Sequence, residues 1–340
     1  MMDSKAITDQ RGRRLRDLRI SVTDRCNFRC DYCMPKEIFG SKHLFAHRSQ
    51  LLSFEEIERL VALVARLGVE KIRLTGGEPL IRRDLEYLIS SISAVDGIRD
   101  VSLTTNGSLL SRKKAQALKD AGLHRITISL DALDDRIFRK LNDVNFPVER
   151  ILEAIDTALE AGLNPVKVNM VVRRGANEDQ ILPMVRHFRA SSVILRFIEF
   201  MDVGNSNNWN MKHVFPLQEI ARVIQGEHAL TAMPGNYEGE VAKRWRYEDG
   251  EGEIGIISSV SQPFCTDCSR LRLSADGKLY TCLFATEGSD LRERLRSDVS
   301  DDELLADLSD IWHRRSDQYS EIRGEKTASI QKVEMSYIGG

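Results

Sequence analysis

Cysteine is scarce in this chain: six residues in 340, with aromatics at only 6%. So few thiols cannot staple a fold of this length, and their close spacing fits metal ligation in a reducing compartment rather than disulfides. Net charge is nearly missing as well, at −2. That excludes a global attraction to nucleic acid or anionic membrane, so any anion site must be a local grouping of basic residues. Long apolar runs are lacking. The most apolar helical stretch, Leu60 to Leu67, is interrupted by Arg66 and is far too short to cross a bilayer. The first twenty residues mix Lys5, Arg11, Arg13, Arg14, Arg16 and Arg19 with Asp3, Asp9 and Asp17 and hold no apolar core. A secretory signal is thereby excluded, a transit peptide is disfavoured, and a cytoplasmic location is expected. There is no G-x4-G-K-[ST] loop, so a nucleotide would have to be held by something other than a P-loop.

What the chain does have is an ordinary globular composition, 42% apolar and 29% charged, and length enough for one large barrel or two domains. From about residue 15 to residue 200, short β-branched runs alternate with amphipathic stretches. Strands are predicted at Leu18–Thr23, Lys71–Thr75, Asp100–Thr105, Arg125–Leu130, Val166–Val172 and Val193–Phe200. Between them Ser53-Phe54-Glu55-Glu56 reads as a capping box opening a helix that stops at Gly68. Further helices are predicted over 82–95, 111–121, 148–161 and 178–190. A βα unit of roughly 30 residues, repeated, predicts a parallel sheet. Six units fall short of a closed eight-fold barrel. The expected fold is therefore α/β: an incomplete (βα)6 TIM-like barrel over 1–203, with a C-terminal α+β extension over 204–340. In such barrels the working face lies at the carboxyl ends of the strands. There the sequence places Cys26 to Cys33, Thr75-Gly76-Gly77-Glu78-Pro79, Thr104 to Gly107, Ser129-Leu130-Asp131 and Glu199-Phe200-Met201, with Asn169 inside the fifth strand.

After residue 203 the pattern changes to an Asn-rich loop, a short helix over 217–224 and a Gly- and charge-rich connection over 235–252. Short strands follow at 253–260 and 271–274, and Asp276-Gly277 is a hairpin turn into 278–283. Two helical stretches close the chain at about 289–297 and 300–315. The acidic run from Asp298 to Glu303 suits a helix start. His43 and His47 are four apart but lack any H-E-x-x-H pattern and read as loop histidines.

The cysteines form two triplets, Cys26-x3-Cys30-x2-Cys33 and Cys265-x2-Cys268-x13-Cys282, with none left over. Thiolates at such spacings converge on iron–sulfur clusters or zinc. Structural zinc normally takes four protein ligands. A four-iron cube on three thiolates leaves one iron open to a small molecule, which points to catalysis at both sites. Arg270 and Arg272 stand two apart on a predicted strand, face the same way and can grip one anion. Arg19, Arg73 and Lys167 occupy interior or rim positions of the barrel strands, where an unpaired cation is costly unless an anion meets it.

The loop C-N-F-R-C-D-Y-C, followed one βα unit later by Gly76-Gly77-Glu78-Pro79, resembles the radical S-adenosylmethionine superfamily. That resemblance implies a [4Fe–4S] cluster on Cys26, Cys30 and Cys33. Its open iron chelates S-adenosylmethionine, and one electron yields methionine and a 5′-deoxyadenosyl radical. It also implies S-adenosylmethionine contacts from Tyr32, Gly77, Ser129 and Met201. The second triplet with Ser269-Arg270-Leu271-Arg272-Leu273 narrows the likeness to the GTP 3′,8-cyclase family of molybdenum cofactor biosynthesis, along essentially the whole chain. Membership would imply a carbon–carbon lyase with a second [4Fe–4S] cluster on Cys265, Cys268 and Cys282, whose open iron binds the substrate guanine. GTP contacts are implied at Arg19, Arg73, Thr104, Lys167, Arg270, Leu271 and Arg272, with Lys71 and Arg196 as nearby candidates. The terminal Gly339-Gly340 is implied to reach back into the active site.

Implied partners are GTP, an electron donor and a downstream cyclic pyranopterin monophosphate synthase. Nucleic acid and membrane are not expected, and a homodimer is compatible with the sequence. Two other readings stay open at this point: a radical enzyme acting on a peptide, and a zinc-stabilised structural module.

Overall fold

A computed structural model describes residues 7–237, 239–324, 327 and 330–339. The six predicted strands form as β1 (Asp17–Ser21), β2 (Lys71–Thr75), β3 (Asp100–Thr105), β4 (Arg125–Ser129), β5 (Lys167–Val172) and β6 (Ile194–Glu199). They pair in that order, all parallel. Each strand turns an apolar face to the helices. Leu18, Ile20, Ile72, Leu74, Val101, Leu103, Ile126 and Ile128 are buried in the core shared with the helices. The alternate positions hold Arg19, Arg73, Thr104, Thr127, Ser129, Asn169 and Arg196 and face inward. This is an incomplete barrel with an apolar outside and a polar inside, as the sequence predicts.

The helices start and stop where their local chemistry dictates. Ser53 Oγ accepts from the Glu56 N–H at 3.1 Å while Glu56 accepts from the Ser53 N–H at 2.6 Å, completing the capping box of helix Phe54–Arg66. Ser300 and Glu303 cap Asp301–His313 in the same way. The predicted helix from 82 is instead a short turn at Pro79–Ile81 followed by a helix over Leu85–Ser93, because the backbone is extended at Arg82 and left-handed at Asp84, where φ is +57°. One helix, Asp135–Asn142, has no counterpart among the sequence expectations. It is short and half charged, and buries only Phe138, Leu141 and Asn142.

The residues after 203 build on both edges of the same sheet. They supply β7 (Leu230–Met233), β8 (Ala242–Tyr247), β9 (Glu253–Ile257), β10 (Arg270–Leu273), β11 (Lys278–Tyr280) and β12 (Ser289–Asp290). The order across the sheet is β12-β11-β10-β1-β2-β3-β4-β5-β6-β9-β8-β7. β10 lies parallel to β1 and β9 parallel to β6, so both continue the barrel curve. The Asp276-Gly277 turn forms the expected hairpin between β10 and β11. β8 lies within the stretch the sequence presents as connection, over 235–252, and β7 lies just before it, where no element is predicted. β8 is an edge-side strand reading Ala-Lys-Arg-Trp-Arg-Tyr, half exposed, and so carries no apolar alternation.

Candidate active site

The cysteine loop leaves β1 at Ser21 and is clamped against the turn after β2. The Gly77 N–H donates to Thr23 O and the Glu78 N–H to Arg25 O, both at 2.8 Å. A Cβ at Gly77 would stand 2.2 Å from Arg25 O, and one at Gly76, where φ is +150°, 2.5 Å from Thr23 O. These glycines are therefore required by the approach of two backbone segments, whatever ligand sits above them. Glu78 is fully enclosed. It accepts from Thr105 Oγ1 at 2.6 Å and from the N–H groups of Asn106 (2.7 Å) and Leu80 (3.0 Å), and burial pushes its carboxyl up to about 7. Tyr32 donates from its hydroxyl to Asp131 Oδ2 at 2.6 Å, and burial pushes Asp131 up to about 6.

Desolvation, then the charge of Glu78, pushes the Cys26 thiol up to about 11. Cys30 and Cys33 are pushed up by burial first, and by Asp131 or neighbouring cysteines next. Thiols in this state ionise only against a bound cation, which the irons of a cluster supply. No three or more His, Cys, Asp or Glu side chains among the described residues are grouped to hold a single metal ion.

The second triplet comes from a turn at Cys265–Asp267, from Cys268, and from Cys282 just past β11. Burial raises Cys282 to about 12. At Cys268 burial acts in the same direction, but the charges of Arg270 and Arg315 overcome it and bring the thiol down to about 7. All six cysteines line one cavity, together with Arg19, Arg73, Arg196, Arg270 and Arg272.

Strand register explains the charge in that cavity. One layer runs Arg270–Asp17–Lys71–Asp100 across β10, β1, β2 and β3, alternating in sign. The next inward-facing layer runs Arg272–Arg19–Arg73, cation beside cation. Among the described residues neither these three arginines nor Lys167 and Arg196 form an ion pair with a carboxylate within 4.0 Å. Arg73 donates to the hydroxyls of Thr104 (3.0 Å) and Thr127 (3.3 Å), and Arg196 to Asn169 Oδ1 (2.9 Å). Burial and mutual repulsion hold Arg19 well below its usual range, Arg196 and Arg272 down to about 9, and Lys167 down to about 7. An array of desolvated, unneutralised cations is a receptor for a polyanion.

Relatives with the same architecture are numerous. Residues 20–188 match the Radical SAM superfamily and residues 193–321 match Molybdenum Cofactor Synthesis C. The chain is 52% identical to the GTP 3′,8-cyclase of Staphylococcus carnosus over 99% of both chains. It is 50% identical to that of Staphylococcus aureus strain N315, over 98% of this chain and 99% of the relative. This chain belongs to the GTP 3′,8-cyclase family. Membership of the radical SAM superfamily brings with it S-adenosylmethionine and one [4Fe–4S] cluster. The fold is also that of Streptococcus suis SuiB bound to S-adenosylmethionine, with TM-score 0.63 at 15% identity over 94% of this chain and 72% of SuiB.

Tyr32, Gly77, Ser129 and Met201 all line the cavity, as do Thr104 and Arg270. Lys167 and Lys71 line a lower cavity at the amino ends of the strands, closed off by Tyr237 and Glu240 and sharing Arg19, Arg73, Arg196 and Arg270 with the upper one. Leu271 points the other way, 1% exposed in the core, so any contact it makes is through its backbone. Gly339 lies against the end of β2, where an added Cβ would meet Thr75 Cγ2 at 2.3 Å, and Arg272 donates to its carbonyl. Gly340 lies outside the described residues. His47 caps a short turn at Arg48–Gln50, while His43 packs between Phe39 and Phe45.

Several residues here are not singled out by sequence reasoning for the work they do. Asn106 donates to Cys26 Sγ at 3.9 Å. Glu199, fully buried, accepts from the N–H groups of Leu217, Val260 and Ser261 and ties the end of β6 to the C-terminal region. Asp9, Arg13 and Arg315 converge behind the second triplet from opposite ends of the chain. Only Asn106 and Glu199 had a signal, their place at strand ends.

Proposed function

We propose that this chain converts GTP to (8S)-3′,8-cyclo-7,8-dihydroguanosine 5′-triphosphate, opening molybdenum cofactor biosynthesis, and that it carries two [4Fe–4S] clusters. The observation that carries this reading is the single cavity lined by both cysteine triplets and by a row of unpaired arginines. Cys26, Cys30 and Cys33 would hold a cluster that, with S-adenosylmethionine bound, would supply one-electron cleavage of the sulfonium and a radical able to take hydrogen from ribose C3′. Arg19, Arg73, Arg270 and Arg272, with Lys167, Arg196 and Thr104, are the groups suited to bind and orient the triphosphate. Cys265, Cys268 and Cys282 would hold the second cluster and with it the guanine, so that C8 faces C3′, a positioning role. Tyr32, Gly77, Ser129 and Met201 are suited to contact S-adenosylmethionine. The Gly339 end lies against Thr75 of β2 and accepts from Arg272 of β10, where it would help exclude water. The product would pass to a cyclic pyranopterin monophosphate synthase.

Anaerobically reconstituted protein, given dithionite and S-adenosylmethionine, should release 5′-deoxyadenosine in quantity only when GTP is added. Equal release without GTP would sink the proposal.

A further inference from the structure

Behind the second cysteine triplet lies a buried group that this reaction scheme leaves unused. Asp9, Arg13 and Arg315 have side chains 0%, 3% and 1% exposed, drawn from the amino-terminal segment and from just past helix Asp301–His313. Asp9 braces both arginines. Its Oδ2 accepts from Arg13 Nε at 2.6 Å and from Arg315 Nη1 at 3.1 Å, and its Oδ1 accepts from the Arg13 N–H at 2.9 Å. Trp312 Nε1 donates to Arg13 O at 3.1 Å, and its ring lies under the Arg315 guanidinium at 4.5 Å.

The outward ends of the two guanidinium forks share one destination. Arg13 Nη1 donates to Cys265 O at 2.8 Å and to Asp317 O at 2.7 Å. Arg315 Nη1 donates to Cys268 O at 2.7 Å and its Nε to Thr281 O at 3.0 Å, the residue before Cys282. Each cysteine of the triplet thus has its own or its preceding carbonyl gripped by a charged donor. Such charge-assisted bonds, in a desolvated place, are about twice as strong as neutral ones. A purely structural ion pair has no reason to end on these particular peptide groups. One donor is also left over: Arg13 Nη2 is buried without a partner, on a residue that lines the cavity. An unmet guanidinium N–H in such a place is costly and fits an acceptor brought by a ligand.

We propose that Asp9, Arg13 and Arg315 are positioning residues for the second iron–sulfur site. They fix the three cysteine-bearing peptides before metal arrives, and Arg13 Nη2 donates a hydrogen bond to the sulfur of the bound cluster. This rests on the proposal that the second triplet holds a cluster. Hydrogen bonds and positive charge at cluster sulfur raise the reduction potential, since they favour the more negative, reduced form.

The test isolates the second site in full-length protein carrying Cys26→Ala, Cys30→Ala and Cys33→Ala, reconstituted anaerobically. In that background Arg315→Met should retain iron about 10- to 100-fold less well against a chelator. Arg13→Met should keep more iron but show a more negative midpoint potential and an altered EPR signal, and Arg13→Lys should restore part of the potential. A reciprocal background with Cys265→Ala, Cys268→Ala and Cys282→Ala guards against general misfolding, because there the same variants should load the first site normally. Unchanged iron retention and potential in both methionine variants would overturn the inference, as would equal losses at both sites. Failure of the parent to take up second-site iron would instead defeat the reading beneath it.

Discussion

The two ends of the cavity are built on opposite charge. The end that carries Cys26, Cys30 and Cys33 is backed by Glu78 and Asp131, carboxyls that burial lifts to about 7 and about 6. The other end is walled by arginines, with Lys167 in the adjoining lower cavity; burial and mutual repulsion push Arg196 and Arg272 down to about 9 and Lys167 down to about 7. At both ends burial holds native groups away from their ordinary charge states, and on the proposed function each end would meet a ligand of opposite sign. S-adenosylmethionine carries a sulfonium and an ammonium, and GTP a triphosphate. The near-zero net charge of the chain conceals this separation, because 49 basic and 51 acidic residues nearly cancel over the whole sequence.

The comparison is broken most completely at the acidic end by Gly77→Ala. The new Cβ would fall 2.2 Å from Arg25 O and 2.9 Å from Cys26 N, so the cysteine loop must move. Overpacking of this kind costs about 1–3 kcal/mol, and here it falls on the positions of the cluster ligands. First-site iron and turnover should be lost while second-site iron persists. Iron analysis in the two triple-cysteine backgrounds checks this, and normal loading of the first site would refute it.

At the basic end Arg19→Met removes the middle cation of the Arg272–Arg19–Arg73 layer. GTP affinity should fall by about 1.5–3 kcal/mol, roughly 10- to 150-fold, as measured by calorimetry or equilibrium dialysis. The ligand-free protein should gain stability, because an uncompensated cation beside two others has been removed. A fall in both affinity and melting temperature would mean that the arginine has a structural partner and is not waiting for an anion.

How much of this was legible in the residues follows from how local each end is. The acidic end is nearly contiguous: Cys26 to Cys33 and Gly76 to Pro79 are short segments one βα unit apart, and period-2 alternation placed their strands. The basic end is assembled by register. That Arg272, Arg19 and Arg73 lie abreast depends on β10 joining β1 in parallel across some 250 residues, which no local pattern encodes. The opposing orientation of Leu271 does follow from strand alternation. The Asp9–Arg13–Arg315 group left no trace, since isolated charged residues near both ends of a chain look like solvent-facing surface. β8 was hidden for a related reason: Ala-Lys-Arg-Trp-Arg-Tyr, paired between β9 and the edge strand β7, shows no apolar alternation.

A smaller effect is expected at the acidic end from Asp131→Asn. Tyr32 would keep a hydrogen bond but lose a charged acceptor, a difference of about 1 kcal/mol or roughly fivefold in S-adenosylmethionine affinity. GTP affinity should not change. Equal weakening of both ligands would show that Asp131 supports the barrel generally, through its 2.8 Å bond from the Val171 N–H.

The finest test is a proton. Lys167 is 8% exposed, and burial together with Arg196, Arg125 and Arg73 brings its ammonium down to about 7 from an ordinary value of 10.5. Without ligand, the folded protein holds fewer protons than the unfolded chain between those values. Stability therefore rises with pH across that window, and below about 7 the charged form carries its full penalty. A bound triphosphate restores the ammonium and raises its pKa, so binding takes up a proton above pH 7. Affinity for GTP should then fall as pH rises beyond about 7, by at most about 1.4 kcal/mol per unit. Calorimetry in buffers of different ionisation enthalpy should register that uptake at pH 8, and Lys167→Met should abolish it. Persistence of the uptake in Lys167→Met would assign the proton to another group.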